Sequence, residues 1–517
     1  MENKAGQNSG SLKRSSGILL HITSLPSPFG IGDLGEGAFD FLDFLKDSGQ
    51  SIWQFLPIGP TSLGLDNSPY TSLSAFAGNP LFISPKLLFQ QGLLTKRELD
   101  DVPQFSEYLV EFEKVVPFKE NLFAKAYEGW KKRSAYAGFE AFCHIAHWLE
   151  DYALYQALKE HYDHKPWYEW PKPLARREAA ALKDAASRLQ DRINFHKFLQ
   201  YMFQLQWLAL RKRAKEHSVL MFGDIPIYVA LDSADVWAKQ SLFELDPISL
   251  RPIHVAGVPP DYFSATGQRW GNPLYRWEID GRPNGQLYSW WKARFKRLKE
   301  LVDIVRIDHF RGFAAYWSIP YKEKTAVKGR WVKGPGKRFF DLTQDAWKGL
   351  TIVAEDLGTI TPDVIELREE LGFPGMKVLQ FAFDSDEYNL YLPHNFRSPN
   401  FVVYTGTHDN NTTLGWYMDP NVSERAKARA RRYANSDGSR IHWDFLRMAM
   451  FTVADRAIIP MQDVLGFGSD CRMNRPSTSK GNWRWRLAPR FITSDLALQL
   501  RDETQFYARL SAKGKRQ

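Results

Sequence analysis

Four carboxylates stand where carboxylates are costly. Asp224, in Gly223-Asp-Ile-Pro-Ile-Tyr228, lies within an apolar, β-branched run. Asp308 (Arg306-Ile-Asp-His-Phe-Arg311), Glu355 (Val353-Ala-Glu-Asp-Leu-Gly358) and Asp409 (Gly406-Thr-His-Asp-Asn-Asn411) each fall at the end of one. Burying such a group without a partner or a purpose is expensive. Singly, each fits a helix N-cap or a structural ion pair, and Asp356, beside Glu355, reads first as a cap. Brought to one pocket, two of them could cleave a glycosidic bond: an ionised carboxylate attacks the anomeric carbon while a protonated one donates to the departing oxygen. Arg306 precedes Asp308 by two residues, so on a strand it shares the same face and would keep that carboxylate ionised. His309 and His408 could ligate a metal, but no matching ligand cluster accompanies them. Hydrogen bonding to sugar hydroxyls suits His408, and core packing suits His309; no metal site is expected.

The elements that must position these groups repeat along the 517 residues. Eight apolar runs recur: Gly17–Ser24, Ser51–Ile58, Val219–Val229, Val302–Phe310, Thr351–Leu357, Met376–Phe383, Phe401–His408 and Ala457–Val464. Helical patterns intervene, such as Gly37–Asp47 and Pro362–Leu371. Apolar strands alternating with helices imply a parallel sheet covered on both faces. Eight of them predict an α/β fold, a (β/α)8 TIM barrel, whose chemistry sits at the C-terminal strand ends where the carboxylates fall. The barrel is expected over 16–510. The long stretch of about 61–218 carries amphipathic patterns (Phe139–Lys159, Ala175–Arg213) and reads as an inserted helical subdomain. A second insertion, about 241–290, is rich in Pro, Gly and aromatics. Residues 1–15 and Ser511–Gln517 read as flexible tails.

Composition narrows the function classes. The 68 basic and 59 acidic residues leave a formal charge of +9, dilute over this length. The densest basic run, Arg425–Arg432, is Ala-rich and places Arg425, Arg429 and Arg432 on one helix face, a solvated face rather than a phosphate-binding patch. Nucleic acid is therefore not expected as a partner. No uninterrupted apolar run is long enough to span a membrane. Cys143 and Cys471 are far apart without metal-ligand spacing, and a cytoplasmic setting is expected. The 18 Trp, 21 Tyr and 35 Phe suit a groove that stacks flat ligands. Gly30-Ile-Gly-Asp-Leu-Gly35 matches a dinucleotide fingerprint, but Pro26 and Pro28 sit where the phosphate turn should begin. The next strand ends Leu56-Pro-Ile-Gly-Pro60, with no acid to hold a ribose. A structural turn or sugar-binding loop fits better.

Read together, the motifs resemble the 4-α-glucanotransferases of the amylomaltase or disproportionating-enzyme type, relatives of the α-amylases. The resemblance rests on His21-Ile-Thr-Ser-Leu-Pro26 with Gly30–Gly35, Asn67-Ser-Pro-Tyr70, Gly223–Tyr228, the long Val258–Tyr275 segment and Val305–Gly312. Ala354–Gly358, Gly406–Asn410 and Gly481-Asn-Trp-Arg-Trp-Arg486 complete it. It implies Asp308 as nucleophile, Glu355 as general acid/base and Asp409 as a third carboxylate that binds sugar hydroxyls. Tyr70, Asp224, Gln268, Trp270, Asn272, Arg306, His408 and Asn482 match substrate-binding positions. Val258–Tyr275 matches a flexible loop over the acceptor side, with Trp270 near its tip. Tyr262, Phe263 and Trp270 supply flat surface, and Gly257, Gly267 and Gly271 supply freedom to move; the rival reading is a rigid loop packed on the barrel rim. Asn411 and Ser477 depart from the family, which more often has Asp and Gly there. No C-terminal β-domain and no cofactor are implied. The expected partners are α-1,4-glucans, acted on by a monomer or homodimer. The alternatives are a hydrolase with the same residues and water as acceptor, and a non-catalytic glucan-binding protein.

Overall fold

A computed structural model describes residues 14–133, 138–260, 264–358, 360–478 and 480–510. Tyr262 and Phe263, expected to supply flat surface, and the Ser511–Gln517 end and most of the 1–15 stretch, expected to be flexible tails, lie outside the described residues. Arg14 and Ser15, expected in that tail, belong to the fold: Arg14 donates to Met450 O and Thr452 O at 2.7 Å each, and Ser15 begins the first strand.

Each of the eight apolar runs contains or overlaps a barrel strand. They are β1 (Ser15–Leu19), β2 (Ile52–Gln54), β3 (Leu220–Pro226), β4 (Ile304–Asp308), β5 (Thr351–Ala354), β6 (Gly375–Val378), β7 (Phe401–Tyr404) and β8 (Arg456–Pro460). All ladders are parallel, in the order β5-β4-β3-β2-β1-β8-β7-β6. Between β5 and β6 the ring closes without a regular ladder: Ala354 N donates to Pro374 O at 2.9 Å, and Met376 N to the Asp356 carboxylate at 2.7 Å. Asp356 therefore does not cap a helix as expected. It bridges two strands and faces Arg368 at 3.4 Å, while Thr361 precedes the helix Pro362–Glu370. Burial pushes the Asp356 carboxyl up to about 6 against the pull of its hydrogen bond and of Arg368.

Core side chains lock the ring to its helices. Trp53 on β2 is buried, donates to Leu20 O at 2.8 Å and meets Phe41 of the helix Glu36–Asp47 edge-on at 5.1 Å. Between β2 and β3 the chain runs through helices that include Phe112–Lys131, Leu149–His161 and Gln190–Glu216. The last of these returns to the barrel: Trp207 lies 5.6 Å from the Phe55 ring and donates to Leu301 O at 3.1 Å. At the barrel's N-terminal end, buried Arg509 donates to the carbonyls of Met450, Ser15, Thr452 and Ala454. Among the described residues no helix is long and apolar enough to cross a membrane.

A four-stranded antiparallel sheet orders Arg330–Lys333, Ala315–Pro320, His254–Val258 and Gln268–Pro273 side by side. Half of it comes from the second insertion and half from the segment after β4. The glycine-rich Gly30–Gly35 segment is a turn, as expected. Gly32 N donates to Thr23 O at 2.9 Å, and a Cβ on Gly32 would lie 1.9 Å from Ile22 O, so only glycine permits the approach. Asp33 accepts from Gly35 N at 2.8 Å.

Candidate active site

The ends of β3, β4 and β5 and the loop after β7 bring all four carboxylates into one connected cluster. Register does the first part. Asp224 pairs with Arg306 across β3 and β4, and Ile307 with Ala354 across β4 and β5. Asp308 and Glu355 are thus the next residues along adjacent strands. Arg306 is buried and spends its guanidinium on both sides, donating to Asp224 and to Asp308 at 2.7 Å each. A buried arginine is tolerable only when so paired. The fork fixes the orientation of Asp308, whose side chain keeps 30% of its surface exposed at the mouth, while that of Asp224 is fully buried. Burial pushes the Asp224 carboxyl up while Arg306 pulls it back.

Among the described residues Glu355 has no such partner. Its two oxygens accept only backbone N–H groups, from His309 and Leu357, at 2.9 Å each. The His309 donor is aimed by a left-handed turn (φ 54°) directly after Asp308. Burial pushes the Glu355 carboxyl up to about 7, against the pull of the Arg306 charge and with a further push from Asp308. His309 itself is held neutral: burial lowers its imidazole to about 4. Its ring meets the partly exposed Trp270 edge-on at 4.7 Å, a contact at the site's rim rather than the core packing expected of it.

Tyr70 and His408 join the third carboxylate to this pair. The Tyr70 hydroxyl donates to Asp224 at 2.8 Å, and its ring stacks on His408 at 5.2 Å. His408 Nε2 stands 3.3 Å from Asp409 Oδ2. Burial opposes ionisation of Asp409. His408, Asn474 and Arg306 outweigh it and hold the carboxyl well below the ordinary carboxylate range. The Asn474 amide donates to Asp409 Oδ1 at 2.6 Å, and Arg472 donates to its backbone carbonyl at 2.5 Å. Neither Asn474 nor Arg472 was found by sequence reading. They lie in an irregular loop after β8, without strand register or motif spacing to mark them.

The remaining expected residues divide. Trp270, 37% exposed, sits on the strand Gln268–Pro273 and donates to the Gln268 carbonyl oxygen of the side chain at 3.1 Å. Asn272 is buried and donates to Val229 O at 2.9 Å, which ties the sheet to the loop after β3. Asn482 accepts from Arg475 N at 2.9 Å and donates to Thr478 O at 3.2 Å. Its amide thus shapes the loop that presents Asn474. In the described part of the Val258–Tyr275 segment, Gln268–Pro273 pairs antiparallel with His254–Val258. Gly257 lies on the paired strand His254–Val258, where a Cβ would meet Gln268 O at 2.2 Å. Its role is close strand approach, not hinging; Gly267 and Gly271 do take positive φ, 66° and 85°. Ser477 also takes a left-handed φ of 66°, which accounts for glycine being the commoner residue in the resembling family. Asn411 donates to Ser469 Oγ at 2.9 Å. Among the described residues no cluster of His, Cys, Asp and Glu has the arrangement of a metal site.

The chain can now be set beside known proteins. Residues 20–493 match the family model described as 4-alpha-glucanotransferase. A 4-alpha-glucanotransferase of Synechocystis sp. is 48% identical over 506 residues, covering 96% of this chain and 98% of the relative. One from Thermus thermophilus is 47% identical over 510 residues, covering 96% of this chain and 100% of the relative. Among solved structures, an amylomaltase from Streptococcus agalactiae in complex with acarbose superposes with a TM-score of 0.91 at 36% identity, covering 96% of this chain and 100% of that one.

Proposed function

The chain belongs to the 4-α-glucanotransferase family, and we propose that it performs this transfer by double displacement with retention, using Asp308, Glu355 and Asp409. In the first step an Asp308 oxygen bonds to the anomeric carbon of an α-1,4-glucan. The bond from that carbon to the leaving 4-oxygen breaks, and Glu355 gives that oxygen its proton. In the second, the ionised Glu355 takes the proton of an acceptor 4-hydroxyl. That oxygen bonds to the anomeric carbon and Asp308 departs as a carboxylate. Asp409, held ionised by His408 and Asn474, accepts hydrogen bonds from hydroxyls of the distorted ring. Tyr70 and His408 form one stacked wall beside it.

The observation that carries this reading is the split between adjacent strand ends. One arm of Arg306 donates to Asp308 at 2.7 Å, while Glu355, without a salt-bridge partner among the described residues, is raised by burial to about 7. Maltotriose as sole substrate tests it. Transfer yields glucose with a ladder of longer α-linked glucans of retained configuration; accumulation of only maltose and glucose would assign water as the acceptor. The expected cytoplasmic setting is supported by two free cysteines, Cys143 and Cys471.

A further inference from the structure

The segment 322–338 holds seven basic residues (Lys322, Lys324, Lys328, Arg330, Lys333, Lys337, Arg338) against one acid, Glu323. Lys328 pairs with Glu323 and Lys337 with Asp341. Among the described residues the other five make no ion pair, and all five are exposed. Arg330 and Lys333 lie on the edge strand of the four-stranded sheet, where charge guards against edge-to-edge pairing. That explanation does not cover Trp331 between them. Its indole is 42% exposed, stacked by the Arg311 guanidinium at 4.1 Å and braced edge-on by Trp317 at 5.2 Å. A braced, exposed indole on a strand that also carries Arg330 and Lys333, within a strongly basic segment, is suited to a ligand with a flat apolar face and anionic substituents.

We propose that this edge is an accessory site for α-glucan carrying phosphate monoesters, the sugar ring lying on Trp331 and the phosphate meeting Lys322, Lys324, Arg330 or Lys333. Single-stranded nucleic acid offers similar chemistry. Glucan is favoured because the patch is tied to the barrel mouth. Arg311 belongs to the turn that follows Asp308, and Gly334 N donates to Ala314 O of that same turn at 2.8 Å. A polymer engaged at the carboxylates can therefore reach the patch. The inference rests on α-glucan transfer only for the identity of the polymer.

The test compares a maltodextrin bearing phosphate monoesters with the same preparation after phosphatase treatment. The donors are given to the parent, to Trp331→Ala, and to a variant combining Lys322→Gln, Lys324→Gln, Arg330→Gln and Lys333→Gln. The parent should show a KM about tenfold lower for the phosphorylated donor, equivalent to roughly 1.4 kcal/mol. The preference should shrink with added salt, vanish in the quadruple variant and weaken in Trp331→Ala. Maltotriose transfer, with no phosphate and little length, should be unchanged in both variants, which also shows that they fold. Equal KM values for the two donors in the parent would overturn the proposal. So would poly(U) RNA binding the patch more tightly than the phosphorylated dextrin. Failure of maltotriose transfer in the parent would strike the catalytic reading instead, and co-sedimentation of Asp308→Asn with phosphorylated dextrin would still report on the patch.

Discussion

Strands β4 and β5 are neighbours and lead into the same functional group, yet the two carboxyls have opposite surroundings. Asp308 accepts a hydrogen bond from one arm of the Arg306 guanidinium, whose other arm is anchored on Asp224. Glu355 receives only two neutral backbone donors and lies within reach of the Asp308 charge. The chemistry of the side chain does not decide which carboxyl attacks and which protonates. The surroundings decide: burial raises the Glu355 carboxyl, and the Arg306 guanidinium, which hydrogen-bonds Asp224 and Asp308, offsets that rise only in part.

The most severe way to break this asymmetry is to remove the anion. Asp308→Asn should lower transfer from maltotriose by at least about 10⁴-fold, since the amide keeps the shape but cannot attack. Single-turnover rates with circular dichroism as a control for folding will measure it, and turnover near the parent level would remove Asp308 from the mechanism.

The other half of the asymmetry is a titration. The Glu355 carboxyl is raised to about 7, so the protonated acid is fully present well below that pH and is lost above it. With maltotriose, kcat/KM should fall about tenfold per pH unit above roughly 7. A maltosyl fluoride donor, whose leaving group needs no proton, should not show that fall in the glycosylation step. Identical alkaline limbs for both donors would argue that another group sets the profile.

A smaller effect is expected at the sheet. Trp270 is half in solvent and half against His309, so it can cover the intermediate without touching the reacting carboxyls. Trp270→Ala should raise the ratio of hydrolysis to transfer several-fold, with a lesser effect on forming the intermediate. Glucose and new reducing ends released per transfer event report the ratio. A proportional loss of both reactions would make Trp270 a support for His309 only. The smallest effect is at Ser477, exposed and left-handed. Ser477→Gly should raise stability to urea by no more than about 1 kcal/mol and leave transfer unchanged; a loss of stability would mean that loop entropy outweighs backbone strain.

The parts legible in the sequence share a physical basis. All eight barrel strands announce themselves because strands covered on both faces must be apolar throughout. Arg306 and Asp308 were read as neighbours because strand periodicity puts residues two apart on one face, and Glu355 was read with them because it follows an apolar strand. The four-stranded sheet was not, because Ala315–Pro320 and Arg330–Lys333 are distant from His254–Val258 in sequence and pairing between them leaves no local signature. Asp356 was misread as a cap because its partner, Met376 N, lies on the next strand. Asn474 was missed because its place beside Asp409 depends on a loop held by Asn482.

The central claim is that Asp308 carries the glycosyl group while Glu355 handles the proton, and trapping the intermediate tests it most directly. Glu355→Gln should still accept a glycosyl group from maltosyl fluoride but should be slow to pass it on, because no base activates the acceptor. Mass spectrometry of the intact variant should then show a stoichiometric maltosyl adduct, and peptide mapping should place it on Asp308. A rapidly formed adduct on any other residue, or full catalytic turnover without an adduct in Glu355→Gln, would contradict the assignment.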